Sequence, residues 1–251
     1  MQVSKLFEDE LARRGVTWSI DGESGRHLID LNSGRLFVSL ANLERDMASN
    51  PDPEKIRRFV DTILMSEQER INTPSAQRLY WILEPNDYAE KASFRVPVSK
   101  RVDRVLVHLS SDGELVSWVT PDVLRQLELS DSDAAAIAFN NLERALSEAT
   151  LETSDIGGVV VGFIGTPLPF KAALILAPNL RKVMEADLGW PLLAVTPDRD
   201  FLYLWAARHT DFAGNVGEVV VREYLAAPYP ISTEIFELTD QGVLAIGAFS
   251  A

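Results

Sequence analysis

The sequence contains no cysteine among its 251 residues. Disulfide bonds, thiolate nucleophiles, cysteine-ligated zinc and cysteine-ligated iron–sulfur clusters all need that side chain, so the chain can contain none of them. A chain of this length can still bury enough apolar surface to fold without covalent cross-links. The side chains left for chemistry are carboxylates, hydroxyls, guanidinium groups and a few imidazoles.

Histidine is almost as scarce. His27, His108 and His209 are far apart in the sequence, and none lies in a His-Glu-x-x-His arrangement. The glycine-rich residues 157–165 contain neither G-x-G-x-x-G nor a terminal Gly-Lys-Ser/Thr, which are the patterns that cradle phosphate. No serine lies in Gly-x-Ser-x-Gly. The sequence therefore predicts no metal and no cofactor, and no motif identifies a reaction.

Long apolar runs are missing as well. The longest uncharged stretch, residues 156–170, is shorter than the roughly 20 residues that a membrane-spanning helix needs, and glycines and prolines interrupt it. The first ten residues become acidic without an apolar segment of the kind found in signal peptides. We therefore expect a cytoplasmic protein of bacterial type that does not enter a membrane.

The charge balance is strongly acidic. Aspartate and glutamate number 37 against 24 lysines and arginines, which gives a formal net charge of −13. A field of this sign repels phosphate backbones, so nucleic acid is an improbable partner. Another protein is the partner that the composition leaves open.

The hydrophobic spacing predicts helices packed on antiparallel sheets. Val3, Leu6, Phe7 and Leu11 form the apolar stripe of a first helix, and three short strands are expected to follow it. Other helices are predicted to begin near Asp52, Pro121 and Ser130, and one is expected over 171–188. Strand pairs are expected at 104–119, 151–164, 191–207 and 232–248, and an irregular segment at 84–98. Because helices gather beside hairpins rather than alternating singly with strands, this order indicates an α+β protein.

The order of elements also suggests an internal repeat. Residues 1–128 approximate the order α-β-β-β-α-β-β-α, and residues 129–251 follow a similar order. Two tandem α+β units, 1–128 and 129–251, are one interpretation, and a single compact domain is the other. The order resembles the fold of type III secretion chaperones and of YbjN-like proteins, which bind extended segments of other proteins.

One turn is the best candidate for a polar contact site. The segment Thr196-Pro197-Asp198-Arg199-Asp200 joins two strongly apolar strands and carries two carboxylates and a guanidinium group. His209 is followed by Thr210-Asp211, and a neighbouring carboxylate can orient an imidazole that acts as a base. Proline and aspartate are also what a tight turn needs for local reasons, so Asp198, Arg199, Asp200 and His209 are candidates only.

Two stretches together resemble the YtpQ family of bacterial proteins, whose function is uncharacterised. The first runs from Val105-Leu106-Val107-His108-Leu109 through Thr120-Pro121-Asp122-Val123-Leu124 to Asn140-Asn141-Leu142. The second is Leu193-Ala194-Val195-Thr196-Pro197-Asp198-Arg199-Asp200-Phe201-Leu202. The resemblance covers mainly residues 102–251, and it implies an intracellular bacterial protein without supplying catalytic residues.

Two functions follow as hypotheses. The first is a non-enzymatic protein-binding or chaperone-like module, which would use a hydrophobic groove beside a helix or an open sheet edge. The second is a carboxylate-dependent hydrolase that uses Asp198, Asp200 and His209, and it requires these groups to converge in one pocket.

Overall fold

The computed structural model describes residues 3–22, 25–31, 34–71, 74–87, 94–111, 113 and 116–250. Its sheets are antiparallel, and its helices lie between hairpins and meanders rather than between single parallel strands, which confirms the α+β class. Contacts within the chain divide it into two compact units, residues 1–73 and 74–251.

The first unit combines helices with a three-stranded antiparallel meander. Its elements are α1 Val3–Arg13, β1 Thr17–Ile20, β2 His27–Leu31, β3 Gly34–Val38, α2 Ala41–Ser49 and α3 Glu54–Ile71. Phe7 and Leu11 of α1 are fully buried in its core, as the predicted apolar stripe requires. His27 is also buried there, where its Nε2 lies 3.0 Å from an oxygen of Glu8. The sequence did not predict α2.

The second unit begins with a four-stranded sheet and two helices. These elements are β4 Leu79–Pro85, β5 Arg95–Pro97, β6 Val102–Leu109, β7 Val116–Trp118, α4 Pro121–Gln126 and α5 Asp131–Glu148. Strand β6 pairs with β4 along one edge and with β5 and β7 along the other. The expected irregular segment 84–98 is therefore strand at both ends, while residues 88–93 lie outside the described part of the chain.

A six-stranded antiparallel sheet follows in the same unit. Its elements are β8 Thr150–Ile156, β9 Val159–Gly165, a 3₁₀ helix Lys171–Leu176, α6 Leu180–Leu188, β10 Leu192–Val195, β11 Tyr203–Ala206, a 3₁₀ helix Ala207–Phe212, α7 Ala213–Ala226, β12 Glu234–Thr239 and β13 Gly242–Ala248. The strand order is β13-β12-β10-β11-β9-β8, so β13 and β8 form the two edges.

The expected helix over 171–188 is divided in two by a proline. The 3₁₀ helix ends at Leu176, Ala177 is extended at φ −67° and ψ 128°, and α6 begins only at Leu180. Pro178 accounts for the break, because a proline ring forces the preceding residue out of the helical region.

The division of contacts between residues 73 and 74 differs from the boundary expected after Glu128. Helix α5, which was expected to open a second unit, packs on β4 of the preceding segment. Ala134, Ala138 and Leu142 of α5 are fully buried in a cluster that also contains residues of β4, β6, β10 and β12. Residues 74–128 and 129–251 therefore share one hydrophobic core.

The strands also fail to repeat between the two expected units. Strands before residue 128 form two separate sheets, one in each contact unit, whereas those after it form a single six-stranded sheet. The likeness in element order therefore does not extend to sheet organisation.

Asn141 provides a test of the shared core. Its Nδ2 donates hydrogen bonds to the carbonyl oxygens of Ala76, at 3.0 Å, and Leu79, at 2.7 Å, and the residue is buried. Asn141→Leu is expected to lower the free energy of unfolding by about 1–3 kcal/mol, because both buried carbonyls lose a donor. The measurement is urea unfolding followed by tryptophan fluorescence, since four of the five tryptophans lie in residues 74–251.

The adjacent exposed residue provides the control for this variant. Asn140→Leu is expected to change the free energy of unfolding by less than about 0.5 kcal/mol. An equal loss in both variants would show that α5 does not join β4 through Asn141.

Candidate functional site

The turn at 196–200 is held by two other segments of the second unit. The N–H of Arg199 donates to the carbonyl of Tyr229 at 3.1 Å, and the N–H of Ile231 donates to the carbonyl of Pro197 at 2.9 Å. The carbonyl of Arg199 accepts from the N–H of Ala172 at 2.9 Å. The turn thus joins the start of the 3₁₀ helix 171–176 to the segment that precedes β12.

Arg199 reinforces this junction with its side chain. Its guanidinium carbon lies 3.9 Å from the centroid of the Tyr229 ring, which is a cation–π contact. The Arg199 side chain therefore helps to join the turn to the segment that precedes β12.

The two aspartates of the turn differ in their surroundings. Asp198 is partly buried, and its Oδ1 accepts from the N–H of Asp200 at 2.7 Å, which is the bond that closes an Asx turn. Burial raises the pKa of Asp198 above its ordinary value, while the Asp200 N–H and the charge of Arg199 act against this rise. Asp200 is exposed. Asp198 thus serves the local conformation of the turn.

His209 is not brought to the turn. It lies in the 3₁₀ helix 207–212, beyond the other end of β11, where its carbonyl accepts from Trp205 Nε1 at 3.2 Å. The four residues of β11 alone separate the two places by about 13 Å. The four candidate residues therefore form two separate places, with Asp198, Arg199 and Asp200 at one and His209 at the other.

A second group of charged residues lies near Arg199. Glu84 of β4 is directly opposite Asp103 of β6 in the antiparallel register, and Arg95 Nε of β5 lies 3.3 Å from Asp103 Oδ2. Burial raises the pKa of Glu84 to about 7, and the positive charges of Arg199 and Arg95 oppose this rise. Glu84 can therefore hold or release a proton near neutral pH.

This group could not be found from the sequence. Glu84, Arg95 and Asp103 belong to three strands whose pairing is not in chain order, because β6 lies between β4 and β5. Arg199 approaches Glu84 from a turn more than 100 residues later. The one signal in the sequence is the position of Glu84 in the otherwise apolar strand Leu79–Pro85, where the structure shows it partly buried.

An apolar groove lies elsewhere in the same unit, along helix α7. Gly217, Val221, Leu225 and Ala226 line it from the helix, and the segment after β13 contributes Phe249. Its volume is about 730 Å³, and it is open to solvent. Leu225 is 65% exposed, although it is a large aliphatic residue. A continuous apolar surface of this kind marks a binding site more often than a scattered exposed residue does.

The spacing of the helix explains why the groove exists. Val216 and Val220 point into a core formed with Val195 and Trp205 of the sheet, so they cover part of the sheet face. Gly217, Val221 and Leu225 follow at intervals of four residues, which places them on one neighbouring stripe of the helix. Helix α7 therefore has two apolar sides, and only one of them packs on the sheet.

Gly217 sets how closely the C-terminal segment approaches the helix. A Cβ atom built on Gly217 would lie 2.9 Å from Cδ1 of Phe249, which is closer than packed carbon atoms approach. A glycine inside a helix costs up to about 1 kcal/mol relative to alanine. The close contact with the Phe249 ring explains why position 217 is a glycine.

The two edges of the six-stranded sheet differ in character. Strand β13, Gly-Val-Leu-Ala-Ile-Gly-Ala, has no charged residue, and its Leu244 is 61% and its Ile246 48% exposed. Strand β8, Thr-Leu-Glu-Thr-Ser-Asp-Ile, carries Glu152 and Asp155. Charged residues are a usual protection of sheet edges against pairing, and β13 has none.

Within the described ranges, no three potential metal-ligating side chains come together. No helix in those ranges combines the length and the apolar composition needed to cross a bilayer.

Comparisons with known proteins identify no relative of this chain. The chain matches no protein-family model. Neither the curated proteins nor the solved structures contain a significant match.

The raised pKa of Glu84 predicts a particular dependence of stability on pH. Because the folded pKa lies above the ordinary value of 4.5, the protonated residue stabilises the fold below pH 4.5 and this contribution is lost as the pH rises through about 7. Glu84→Gln keeps the neutral form at every pH. At pH 8 it should therefore raise the free energy of unfolding by about 1–3 kcal/mol relative to the unmodified chain.

The measurement is urea unfolding of both proteins from pH 4 to pH 8. The difference between them should vanish at pH 4, where Glu84 is protonated in the unmodified chain, and this pH is the internal control. A constant difference across the series, or one that is largest at pH 4, would contradict a raised pKa.

Proposed function

We propose that this chain is a non-enzymatic protein-binding or chaperone-like module, and that it holds an apolar segment of a partner protein in the groove along α7. The groove itself carries this proposal, because it presents Val221, Leu225 and Phe249 on a surface of an otherwise strongly charged chain. Apolar segments laid against a helix are a common mode of peptide recognition.

The surroundings of the groove favour a polypeptide segment as its occupant. Glu218 and Arg222 lie on the same side of α7 and bring one charge of each sign to the groove. Such groups can pair with the backbone or the polar side chains of a segment whose apolar residues enter the groove. A purely hydrocarbon ligand could not pair with either charge.

The net charge indicates which segments would bind well. With a formal charge of −13, the chain attracts basic partners and repels acidic ones at long range. We therefore expect an apolar segment with lysine or arginine near its ends. A cytoplasmic location and a relationship to the YtpQ family over residues 102–251 are part of the same proposal.

The alternative, a carboxylate-dependent hydrolase, has weaker support. It needs Asp198, Asp200 and His209 in one pocket, whereas His209 lies at the other end of β11 and Asp198 accepts a bond from its own turn. Glu84, with its pKa of about 7, is the observation that favours this alternative.

Selection from a random peptide library displayed on phage tests the binding proposal. The intact chain is expected to enrich peptides that combine apolar residues with basic flanks. Synthetic versions of the enriched peptides should then bind at least tenfold more weakly to Leu225→Asp, because an aspartate places an unpaired charge against the apolar segment. Fluorescence anisotropy measures this affinity.

Ile156→Asp is the matched control, because Ile156 is an exposed aliphatic residue, 41% accessible, that ends β8 at the other edge of the sheet. It should bind the peptides as the unmodified chain does. Failure to enrich any peptide, or equal loss in both variants, would contradict the assignment of the groove. Circular dichroism confirms that both variants are folded.

A further inference from the structure

Two groups of opposite charge lie near each other in the second unit, and neither has a hydrogen-bond partner. Glu84, near the end of β4, makes no hydrogen bond within the part of the chain that the structure describes, although the positive charges of Arg199 and Arg95 act on it. The Nε of Arg199 is buried, and no described residue accepts a hydrogen bond from it. A carboxyl group and a buried donor are therefore both unpaired within electrostatic range of each other.

Arg95, the other cation of this group, already has a carboxylate of its own. Its Nε lies 3.3 Å from Asp103 Oδ2, as an ion pair rather than an aligned hydrogen bond. Its terminal nitrogens donate to the carbonyls of Asn86 and Pro85, each at 3.4 Å. Arg199 has no such ion pair among the described residues, so it is the cation left to pair with the carboxyl group.

We propose that Glu84 and Arg199 form a proton-controlled clamp, in which the ionised carboxylate accepts a hydrogen bond from the guanidinium group and protonation of Glu84 releases it. The turn that carries Arg199 already joins the 3₁₀ helix 171–176 to the segment that precedes β12. Closing the clamp adds β4 of the four-stranded sheet to this junction.

The stacking of Arg199 on Tyr229 is compatible with this second contact. The guanidinium carbon lies 3.9 Å from the centroid of the ring, so the flat face of the group lies on the ring. The N–H bonds of a guanidinium group point outward in its plane, and a stacked ring does not use them. Arg199 can therefore keep Tyr229 on its face and bind a carboxylate at its edge.

The charge on Glu84 decides whether the clamp is closed. Burial raises the pKa of Glu84 to about 7, so the carboxyl group changes its charge near neutral pH. A carboxylate attracts a guanidinium group strongly in a partly buried setting, whereas the neutral acid does not. The clamp is therefore expected to close as the pH rises through about 7. Pairing reduces the cost of ionising Glu84 without removing it, because the pKa stays above 4.5.

Other charged groups face the pair from four elements. They are Asp103 of β6, Arg95 of β5, Lys171 of the 3₁₀ helix 171–176, and Asp198 and Asp200 of the turn. Helix α5 packs on the opposite face of β4, where Trp81 Nε1 donates to the carbonyl of Ala135, so its charged residues do not face Glu84. Asp198 is the main competitor for Arg199, because its Oδ2 is buried and has no partner among the described residues.

Nuclear magnetic resonance of the arginine side chains tests the proposal. In protein labelled with ¹⁵N-arginine, the Nε–H signal of Arg199 is the one that is missing from Arg199→Lys. It should shift downfield as the pH is raised from 5 to 9, with a midpoint near 7, because the proton enters a hydrogen bond to a carboxylate. In Glu84→Gln the same signal should not change with pH.

Asp198→Asn is the matched control for this titration. It removes the competing charge and keeps the Oδ1 that accepts from the N–H of Asp200. The shift of the Arg199 signal and its midpoint should be the same as in the unmodified chain. A constant signal in the unmodified chain, an equal shift in Glu84→Gln, or loss of the shift in Asp198→Asn would overturn the clamp.

Urea unfolding measures the strength of the contact independently. Arg199→Gln is introduced both into the unmodified chain and into Glu84→Gln. At pH 9 it should change the unfolding equilibrium constant about fivefold more in the unmodified chain than in Glu84→Gln, and at pH 5 the two changes should be equal. Equal changes at both pH values would contradict the pairing. Both experiments use the chain without a peptide, so their outcome is independent of the proposed function.

Discussion

The second unit depends on one constraint: apolar side chains from other elements must cover both faces of its six-stranded sheet. One face is buried under the main core, where α6 and the 3₁₀ helix 171–176 meet it. On the other face, helix α7 packs through Val216 and Val220 over β10 and β11. One apolar side of α7 packs on the sheet, and the other lines the groove together with Phe249.

Charged residues in and near the turn that follows β10 have a different role. Arg199 stacks on Tyr229 and, through its backbone, joins the turn at 196–200 to two other segments. Glu84, Arg95 and Asp103 lie on neighbouring strands close to it. Placing a carboxyl group in such a buried setting costs stability when it is ionised, so Glu84 retains its proton up to about neutral pH. The polar residues thus hold segments together, whereas the apolar surfaces are left exposed.

Local elements were predicted best where local forces decide them. The helix from Asp131 follows from its cap, since Ser130 Oγ accepts from the N–H of Asp133, and β10 and β11 follow from their apolar runs around a proline turn. The prediction of an irregular segment over 84–98 failed because a distant residue run decides there: the three residues of β5 pair with β6. The contacts of the chain divide at residue 73, and α5 packs on β4.

The sequence by itself determined the α+β class, the negative net charge and the exclusion of every chemistry that needs cysteine, because these follow from composition and from the periods of apolar residues along the chain. It also located the turn at Asp198, Arg199 and Asp200. Tertiary structure decided that His209 lies apart from this turn, that Glu84 lies near Arg199, and that one side of α7 and the edge of β13 stay uncovered. Each of these depends on contacts between residues that are distant in sequence. The spacing of apolar residues along a helix or strand does not show which of its apolar faces the fold buries.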